Sequence, residues 1–390
     1  MRYSRIAERM RPSATLQITA KAKAMAADGR DVVALSAGQP DFPTPECALT
    51  AAEKAMREGK TGYTPAAGIP ELREAVAESY SARHGIPMRS ENVLISCGAK
   101  HSIANLLAAA VNKGEHVLIP SPYWVSYPEM VIKAGGEPLE AWSDQVLITP
   151  GDVRRAAEMG AVGVVLNSPG NPTGAVYSRE EALELGRALA ETDLWVISDD
   201  IYEDLVYGMP VAPSVVAGTP ELWKRSAFVS GVSKTYSMTG WRIGYAMANP
   251  HWIKLAGTIQ AHTTSNPNSV AQWAALAVVR GGAEEERKRM LEAFKARREL
   301  ILRLMEPIGQ LEPVDPAGAF YIFAKVSGHP LAGRSSEFCE ALLEEEGLAI
   351  IPGSAFGAEG YIRLSFAASE STIRQGMEKL AKFIGRGRKL

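Results

Sequence analysis

Lys234 is the residue whose sequence setting most suggests chemistry. It lies in SGVSKTYSMTGWRIGY (residues 230–245), among Ser, Gly and Thr, and Arg242 follows eight residues later. A lysine amine can form a Schiff base with a carbonyl group, and small neighbours leave space around it. The sequence therefore indicates a reactive lysine, provided that other functional groups lie beside it in the fold.

Asp199 and Tyr202 are two further candidates, because they follow the apolar run in VISDDIY (residues 196–202). A carboxylate, a phenol and a lysine at neighbouring strand ends suit a pyridoxal phosphate site. The lysine would carry the cofactor aldehyde, the carboxylate would keep the pyridine nitrogen protonated, and the phenol would hydrogen-bond the ring oxygen. Taken alone, Asp199 is more typical of a helix N-cap.

Two segments could bind the cofactor phosphate. The planar guanidinium of Arg242 suits a phosphate, although an arginine more commonly packs its stem and leaves its head in water. The turn Gly98–Ala99–Lys100 opens a predicted helix whose first free N–H groups could face an anion. The alternative is a plain tight turn between a strand and a helix.

Three residues could hold the ring and the substrate. Asn171, in NSPGNPTG, lies in a loop restricted by prolines and could place its amide against the ring oxygen. Trp124 could cover the ring face, or it could be a core residue. Arg363 alternates with apolar residues in YIRLSFA, which indicates either an exposed strand face or a partly buried arginine that awaits a carboxylate.

Composition limits the class of protein. The chain is 46% hydrophobic and 22% charged with a net charge of -2, which is typical of a globular protein and not of a nucleic-acid-binding protein. No run approaches the roughly 18 apolar residues of a membrane span. The three cysteines are far apart, so we predict reduced thiols and a cytoplasmic location. The six scattered histidines predict no metal site.

The predicted elements place these groups at one edge of a sheet. Apolar runs at 92–96, 116–121, 162–169, 194–200, 226–231 and 243–248 alternate with helical patterns, which favours a parallel, doubly wound α/β sheet with helices on both faces. The site then lies outside the carboxyl ends of the strands. We predict a large domain over residues 46–283 and a smaller α+β domain from residues 1–45 and 284–390.

The motifs together resemble the class I aminotransferases, which are fold-type I pyridoxal phosphate enzymes. The order and spacing of AGQPDFPTP, GYTPAAGIPELREAV, SPYWVSYPEM, NSPGNPTG, SDDIY, SKTYSMTGWRIGY and YIRLSFA carry the resemblance, from about residue 10 to 385. The chain is most similar to the prokaryotic aspartate aminotransferase branch, which includes members that also use prephenate.

The resemblance implies a role for each matching position. Lys234 would carry the cofactor, Asp199 would face the pyridine nitrogen, and Asn171 and Tyr202 would face the ring hydroxyl. The remaining roles are ring stacking for Trp124, phosphate binding for Arg242, Gly98, Ala99, Lys100, Ser233 and Tyr63, and substrate binding for Arg363, Gly38 and Asn171. Tyr63 would come from a second subunit, so the resemblance implies a homodimer with shared active sites.

The chain departs from family patterns at two positions, and Lys100 bears on substrate specificity. Some relatives place a phosphate-binding serine three residues before the lysine, where this chain has Gly231. A second branch supplies an arginine from the neighbouring subunit just before the SNP segment, and QAHTTSNPNS contains none. Lys100 matches the lysine that the prokaryotic branch uses for the substrate side-chain carboxylate. It could instead only balance the phosphate charge.

The leading prediction is amino transfer between L-aspartate and 2-oxoglutarate. The first alternative is a prephenate or aromatic aminotransferase, in which Arg11 could bind a second carboxylate on a ring substrate, and both activities could coexist. A pyridoxal phosphate β-lyase would share most of these residues. It would form a keto acid without any amino acceptor.

Overall fold

The computed structural model describes residues 1–142 and 146–386. The strands are β1 (Val33–Ala34), β2 (Val93–Ser96), β3 (His116–Ser121), β4 (Glu137–Trp142), β5 (Ala161–Asn167), β6 (Trp195–Asp199), β7 (Ser226–Gly231), β8 (Gly244–Ala248), β9 (Leu311–Val314), β10 (Tyr321–Val326), β11 (Leu348–Ala349), β12 (Ile351–Pro352) and β13 (Tyr361–Ser365). The helices are α1 (Arg5–Arg9), α2 (Ala14–Ala27), α3 (Glu46–Arg57), α4 (Pro70–His84), α5 (Ala99–Ala110), α6 (Tyr127–Ala134), α7 (Pro150–Glu158), α8 (Arg179–Ala190), α9 (Val232–Thr235), α10 (Pro250–Thr263), α11 (Ser269–Ala277), α12 (Glu284–Met305), α13 (Ser335–Glu346) and α14 (Glu370–Arg386).

A seven-stranded sheet forms the larger layer, in the order β2-β8-β7-β6-β5-β3-β4. Every neighbouring pair is parallel except the two that involve β8. Alternate residues of β2 pack into different apolar clusters. Val93 and Ile95 belong to one apolar cluster, and Leu94 belongs to another. Both faces of the sheet are therefore covered, as continuous Val-rich and Ile-rich strands predict.

A second, antiparallel sheet has the order β12-β13-β10-β9 and packs with α12, α13 and α14. The short strand β1 pairs with β11, which attaches the N-terminal segment to this part of the chain. The core of this layer also takes in Ile201 and Tyr202, from the turn that follows β6. The division at residues 45/46 and 283/284 stays a prediction, and residues 387–390 of the predicted small domain lie outside the described residues.

The predicted architecture is confirmed, with two differences. Strand β8 runs antiparallel to β7, because the segment 232–243 that joins them contains only the single-turn helix α9 and a short 3-10 turn, and it lacks the long helix that usually carries the chain across a sheet to a parallel neighbour. The sequence analysis did not anticipate β4, whose residues EPLEAW mix charged and apolar side chains. It forms an edge of the sheet, where one side of the strand has no neighbour.

Within the described ranges, no helix is long and apolar enough to cross a membrane. The same residues contain no group of three or more His, Cys, Asp or Glu side chains that could hold a metal ion.

Candidate active site

A cavity of about 700 Å³ opens beside the carboxyl ends of β5, β6 and β7. Asn167 ends β5 and pairs in register with Asp199, which ends β6, so the parallel strands bring their polar ends together. Most of the predicted site residues line this cavity: Gly38, Ala99, Lys100, Trp124, Asn171, Asp199, Tyr202, Ser233, Lys234, Arg242 and Arg363.

Lys234 lies in the single turn of helix α9, directly after β7. Its ammonium group donates a hydrogen bond to the backbone carbonyl of Gly38. Burial, together with the positive charges of Arg242 and Arg363, lowers the pKa of Lys234 to about 7. A substantial share of the amine is therefore uncharged near neutral pH, which is the form that can act as a nucleophile or a base.

Asp199 is a buried carboxylate, with 3% of its surface exposed. The phenol of Tyr127 donates a 2.6 Å hydrogen bond to its Oδ2 atom, and the backbone N–H of Ile201 lies 3.3 Å from Oδ1. Burial raises the pKa of Asp199 to about 6. The N-cap interpretation is wrong, because the described chain forms turns and no α-helix directly after this residue.

Asn171 lies in a loop that other polar side chains hold in place. Its backbone N–H donates to Oδ1 of Asn167 over 2.9 Å, and the Asn167 amide donates to the carbonyl of Asp199 over 2.8 Å. The hydroxyl of Tyr202 is 2.9 Å from that of Tyr321. The two residues predicted to face one ring oxygen are thus fixed by partners from other elements.

Glycines open space where α5 begins. Gly98 has φ +86°, and a Cβ atom there would overlap the guanidinium of Arg242. Arg242 itself has φ +57° and donates to the carbonyls of Thr239 (2.8 Å) and Cys97 (3.3 Å). Among the described residues no side chain caps α5, so its first N–H groups and the Arg242 guanidinium give this end of the cavity the donors that suit an anion.

Gly231 lies where the chain has no room for a serine side chain. A Cβ atom at this position would lie 2.8 Å from the Cα of Gly244 and 2.9 Å from the carbonyl oxygen of Ile243. Both contacts are with backbone, which cannot rotate away. A serine would therefore require β8 to move, so this position has no room for a hydroxyl group.

Arg363 is a buried cation in β13. Its guanidinium donates to Oδ1 of Asn171 and to the carbonyl of Ser36, each over 2.9 Å, and it lies 4.4 Å from the ring centroid of Tyr321. Its Nε has no partner among the described residues, and no carboxylate of those residues pairs with it. The exposed-face interpretation is therefore wrong, and the geometry is that of a receptor for a carboxylate.

Lys100 presents a second cation to the cavity. Its ammonium nitrogen lies 4.7 Å from the ring centroid of Trp124, which is within cation–π range. Burial lowers the pKa of Lys100, and the charge of Arg242 contributes. In the described part of the chain, no acidic side chain forms a salt bridge with it.

Three predicted residues lie outside the cavity lining. Gly98 immediately precedes the lining residue Ala99, and Tyr63 is 96% exposed on a loop. Arg11 contacts Glu129 on α6, with its backbone N–H 2.9 Å from Oε2 and its side chain 72% exposed. The roles predicted for Tyr63 and Arg11 stay predictions.

The cavity lining also includes Tyr127, Asn167 and Tyr321, which are not among the predicted site residues. Tyr127 and Asn167 stand inside motifs already singled out, SPYWVSYPEM and NSPGNPTG, so their positions beside reactive residues were the available signal. Tyr321 gave no such signal. It reaches Tyr202 only because the turn that follows β6 packs into the core of the smaller sheet.

The chain is similar to known aminotransferases over almost its whole length. The family profile described as aminotransferase class I and II matches residues 30–380. An aspartate aminotransferase from Geobacillus stearothermophilus is 40% identical over 98% of this chain and 99% of its own length. An aspartate/prephenate aminotransferase from Thermus thermophilus is 41% identical with the same coverage. The solved structure of aspartate aminotransferase from Thermus thermophilus with maleate has a TM-score of 0.93 and 40% identity, covering 98% of this chain and 100% of that one.

Proposed function

The chain belongs to the class I and II aminotransferases, and we propose that it transfers the amino group between L-aspartate and 2-oxoglutarate, giving oxaloacetate and L-glutamate. One observation carries the choice of substrate. Arg363 and Lys100 are two cations on the cavity wall, and neither has a carboxylate partner among the described residues. Aspartate and 2-oxoglutarate each carry two carboxylates, which such a pair of cations can bind.

We propose pyridoxal 5'-phosphate as the cofactor, because the donor set fits it from end to end. The first turn of α5, with Arg242 and Ser233, suits the phosphate. Asp199 is a buried carboxylate suited to a ring N–H, and Asn171 and Tyr202 suit the ring hydroxyl. When bound, pyridoxal phosphate supplies a ring that withdraws electrons from the substrate Cα.

Each protein group then has a task that follows from its position. Arg363 binds the substrate α-carboxylate, because its fork is buried and fixed by Asn171 and Ser36. Lys100 binds the side-chain carboxylate. Lys234, whose lowered pKa keeps part of it uncharged, takes the proton from the substrate Cα at Nζ. Trp124 covers the site, which limits the access of water.

The alternative substrate class is prephenate or an aromatic amino acid. The relative named aspartate/prephenate aminotransferase supports it at 41% identity. In this conformation Arg11 lies against Glu129 and outside the cavity, so a role for Arg11 requires that ion pair to break. A β-lyase would release a keto acid from one amino acid with no acceptor present.

Half-reaction spectroscopy distinguishes these functions. Purified holoprotein is mixed with a single amino acid or keto acid, and the absorbance of the bound cofactor is followed. We expect fast conversion with aspartate and glutamate. Conversion that is faster with prephenate-derived or aromatic substrates would select the alternative. Continuous keto-acid release from an amino acid with a leaving group on Cβ, such as cysteine, with no acceptor present would overturn both.

We further propose a homodimer with shared active sites, in which Tyr63 reaches the phosphate bound by a second copy. The 96% exposure of Tyr63 supports this, since a tyrosine without cover in its own subunit suits an interface. A cytoplasmic location is proposed from the three cysteines, which are free thiols at positions 47, 97 and 339.

A further inference from the structure

The loop that carries Tyr63 is held by two helices that contribute nothing else to the site. Ser269, at the start of α11, donates a 2.6 Å hydrogen bond from its hydroxyl to the carbonyl of Gly62. Gln272, one turn later, donates to the hydroxyl of Thr64 over 3.1 Å. The residues on both sides of Tyr63 are therefore tied to α11.

The far end of the same loop is fixed as firmly. The amide oxygen of Gln272 accepts from the backbone N–H of Ile69 over 2.7 Å. Gln260, on α10, donates to the carbonyl of Ala66 over 2.7 Å and is itself bound by Asn105 over 3.0 Å. Gly68, with φ +102°, packs so closely that a Cβ atom would overlap Ile95.

The two glutamines are unusual for their burial. Gln260 and Gln272 are both 0% exposed, although glutamine is mostly found at the surface. Each uses its carbonyl and both amide hydrogens: the remaining donor of Gln260 binds the carbonyl of Ile95, and that of Gln272 binds the carbonyl of Pro267. A fully satisfied buried amide fixes the backbone around it.

The result is a rigid loop that presents a tyrosine with no cover of its own. We infer that Gln272, assisted by Gln260 and Ser269, is a positioning residue that holds Tyr63 in place for a second copy of this chain. A loop ordered before association does not lose its conformational freedom when the contact forms. The inference rests on the proposed function, in which Tyr63 contacts the cofactor phosphate of the neighbouring subunit.

A double-mutant cycle on cofactor affinity tests this role. Apoproteins of the wild type, Tyr63→Phe, Gln272→Met and the double variant are titrated with pyridoxal phosphate, and binding is followed by tryptophan fluorescence. Tyr63→Phe should weaken binding about 10- to 100-fold through loss of a hydrogen bond to a charged group. Gln272→Met should weaken it about 5- to 30-fold, the cost of ordering about one residue. The double variant should bind within about twofold of Tyr63→Phe.

Gln310→Met is the matched control, because Gln310 is also buried but lies beside β9, away from the loop. It should lower the melting temperature without changing cofactor affinity. Ser269→Ala removes a single hydrogen bond. If Gln272→Met does not fold, Ser269→Ala replaces it in the double-mutant cycle with Tyr63→Phe. We expect Ser269→Ala alone to weaken cofactor binding about two- to fivefold. It should have no effect on cofactor binding when Tyr63 is already Phe.

The possible outcomes distinguish the positioning role of Gln272 from the role of Tyr63 in the neighbouring site. Losses that add in the double variant, or an unchanged affinity for Gln272→Met and Ser269→Ala, would overturn the positioning role and leave Tyr63 as a phosphate ligand. An unchanged affinity for Tyr63→Phe would overturn the proposed role of Tyr63 in the neighbouring site, and the positioning role with it.

Discussion

The hydroxyl of Tyr127 lies 2.6 Å from Oδ2 of Asp199 and donates to it, so the protein stabilises the ionised form of a carboxylate that it also buries. These effects oppose each other. Burial raises the pKa of Asp199, and the Tyr127 hydrogen bond limits the rise, leaving a value of about 6. The carboxylate is thus ionised at pH 7 and above, the state needed to hold a protonated ring nitrogen.

Asp199→Asn should stabilise the apoprotein and impair the enzyme. The folded pKa of about 6 exceeds the reference value of 3.8, so the folded protein binds this proton more tightly than the unfolded chain. Ionisation therefore destabilises the fold, by up to about 3 kcal/mol above pH 6, and the penalty disappears as the pH falls below 4. Urea unfolding of both apoproteins should show that Asp199→Asn raises the free energy of unfolding more at pH 8 than at pH 5. The transamination rate of the variant should be at least a hundredfold lower than that of the wild type. A variant that is less stable at pH 8 yet fully active would contradict the assignment.

Lys234 should be the lysine to which the cofactor attaches. Borohydride reduction of the yellow holoprotein, followed by peptide mapping, should locate the label on Lys234, and Lys234→Ala should bind cofactor without turnover. In the apoprotein, labelling of Lys234 by an amine reagent should have its midpoint near pH 7, because burial and Arg242 lower its pKa. Exposed lysines should react about three pH units higher. Label at another lysine would refute the assignment.

Lys100→Met should change which substrates the enzyme prefers. Loss of a charge-assisted hydrogen bond to the side-chain carboxylate should lower kcat/KM about 10- to 150-fold for aspartate and 2-oxoglutarate. Alanine and phenylalanine, which lack that carboxylate, should lose much less. Lys133→Met, at an exposed position on α6, is the control and should leave every substrate unaffected. Equal losses for aspartate and alanine, with weaker cofactor binding, would instead assign Lys100 to the phosphate.

Arg363→Lys should reduce the use of every amino acid. The α-carboxylate is common to all substrates, and a lysine cannot reproduce the planar fork that also binds Asn171 and Ser36. We expect kcat/KM to fall at least tenfold for aspartate and alanine alike. A loss confined to dicarboxylic substrates would exchange the roles of Arg363 and Lys100.

The sequence predicted the elements that follow strong local patterns. Strands rich in apolar residues, such as 194–200 and 226–231, are predicted to within a residue or two, and their polar ends identify Asp199 and Lys234. Strand direction is not recorded in such a pattern, so the antiparallel course of β8 was missed. Strand β4 was missed because its charged residues lie at a sheet edge, where burial imposes no apolar pattern.

Contacts between distant segments explain the remaining gaps. Tyr321 approaches Tyr202 across 119 residues, and Arg11 approaches Glu129 across 118. Neither contact can be predicted from the spacing of residues within a short segment of the chain. The sequence placed Arg11 near the mouth of the site, but it could not show that a carboxylate on α6 competes for the guanidinium.

The converging cations of the cavity make the enzyme sensitive to its buffer. Lys100, Arg242 and Arg363 all depress the pKa of Lys234, so any anion that enters the cavity relieves part of that repulsion. Phosphate or sulfate should therefore compete with substrate and raise the apparent KM, and moderate salt should screen the attraction that draws dicarboxylates in. The same reduction in charge repulsion also favours catalysis. When aspartate binds, its two carboxylates offset these charges and raise the pKa of Lys234, so the substrate strengthens the base that acts on it.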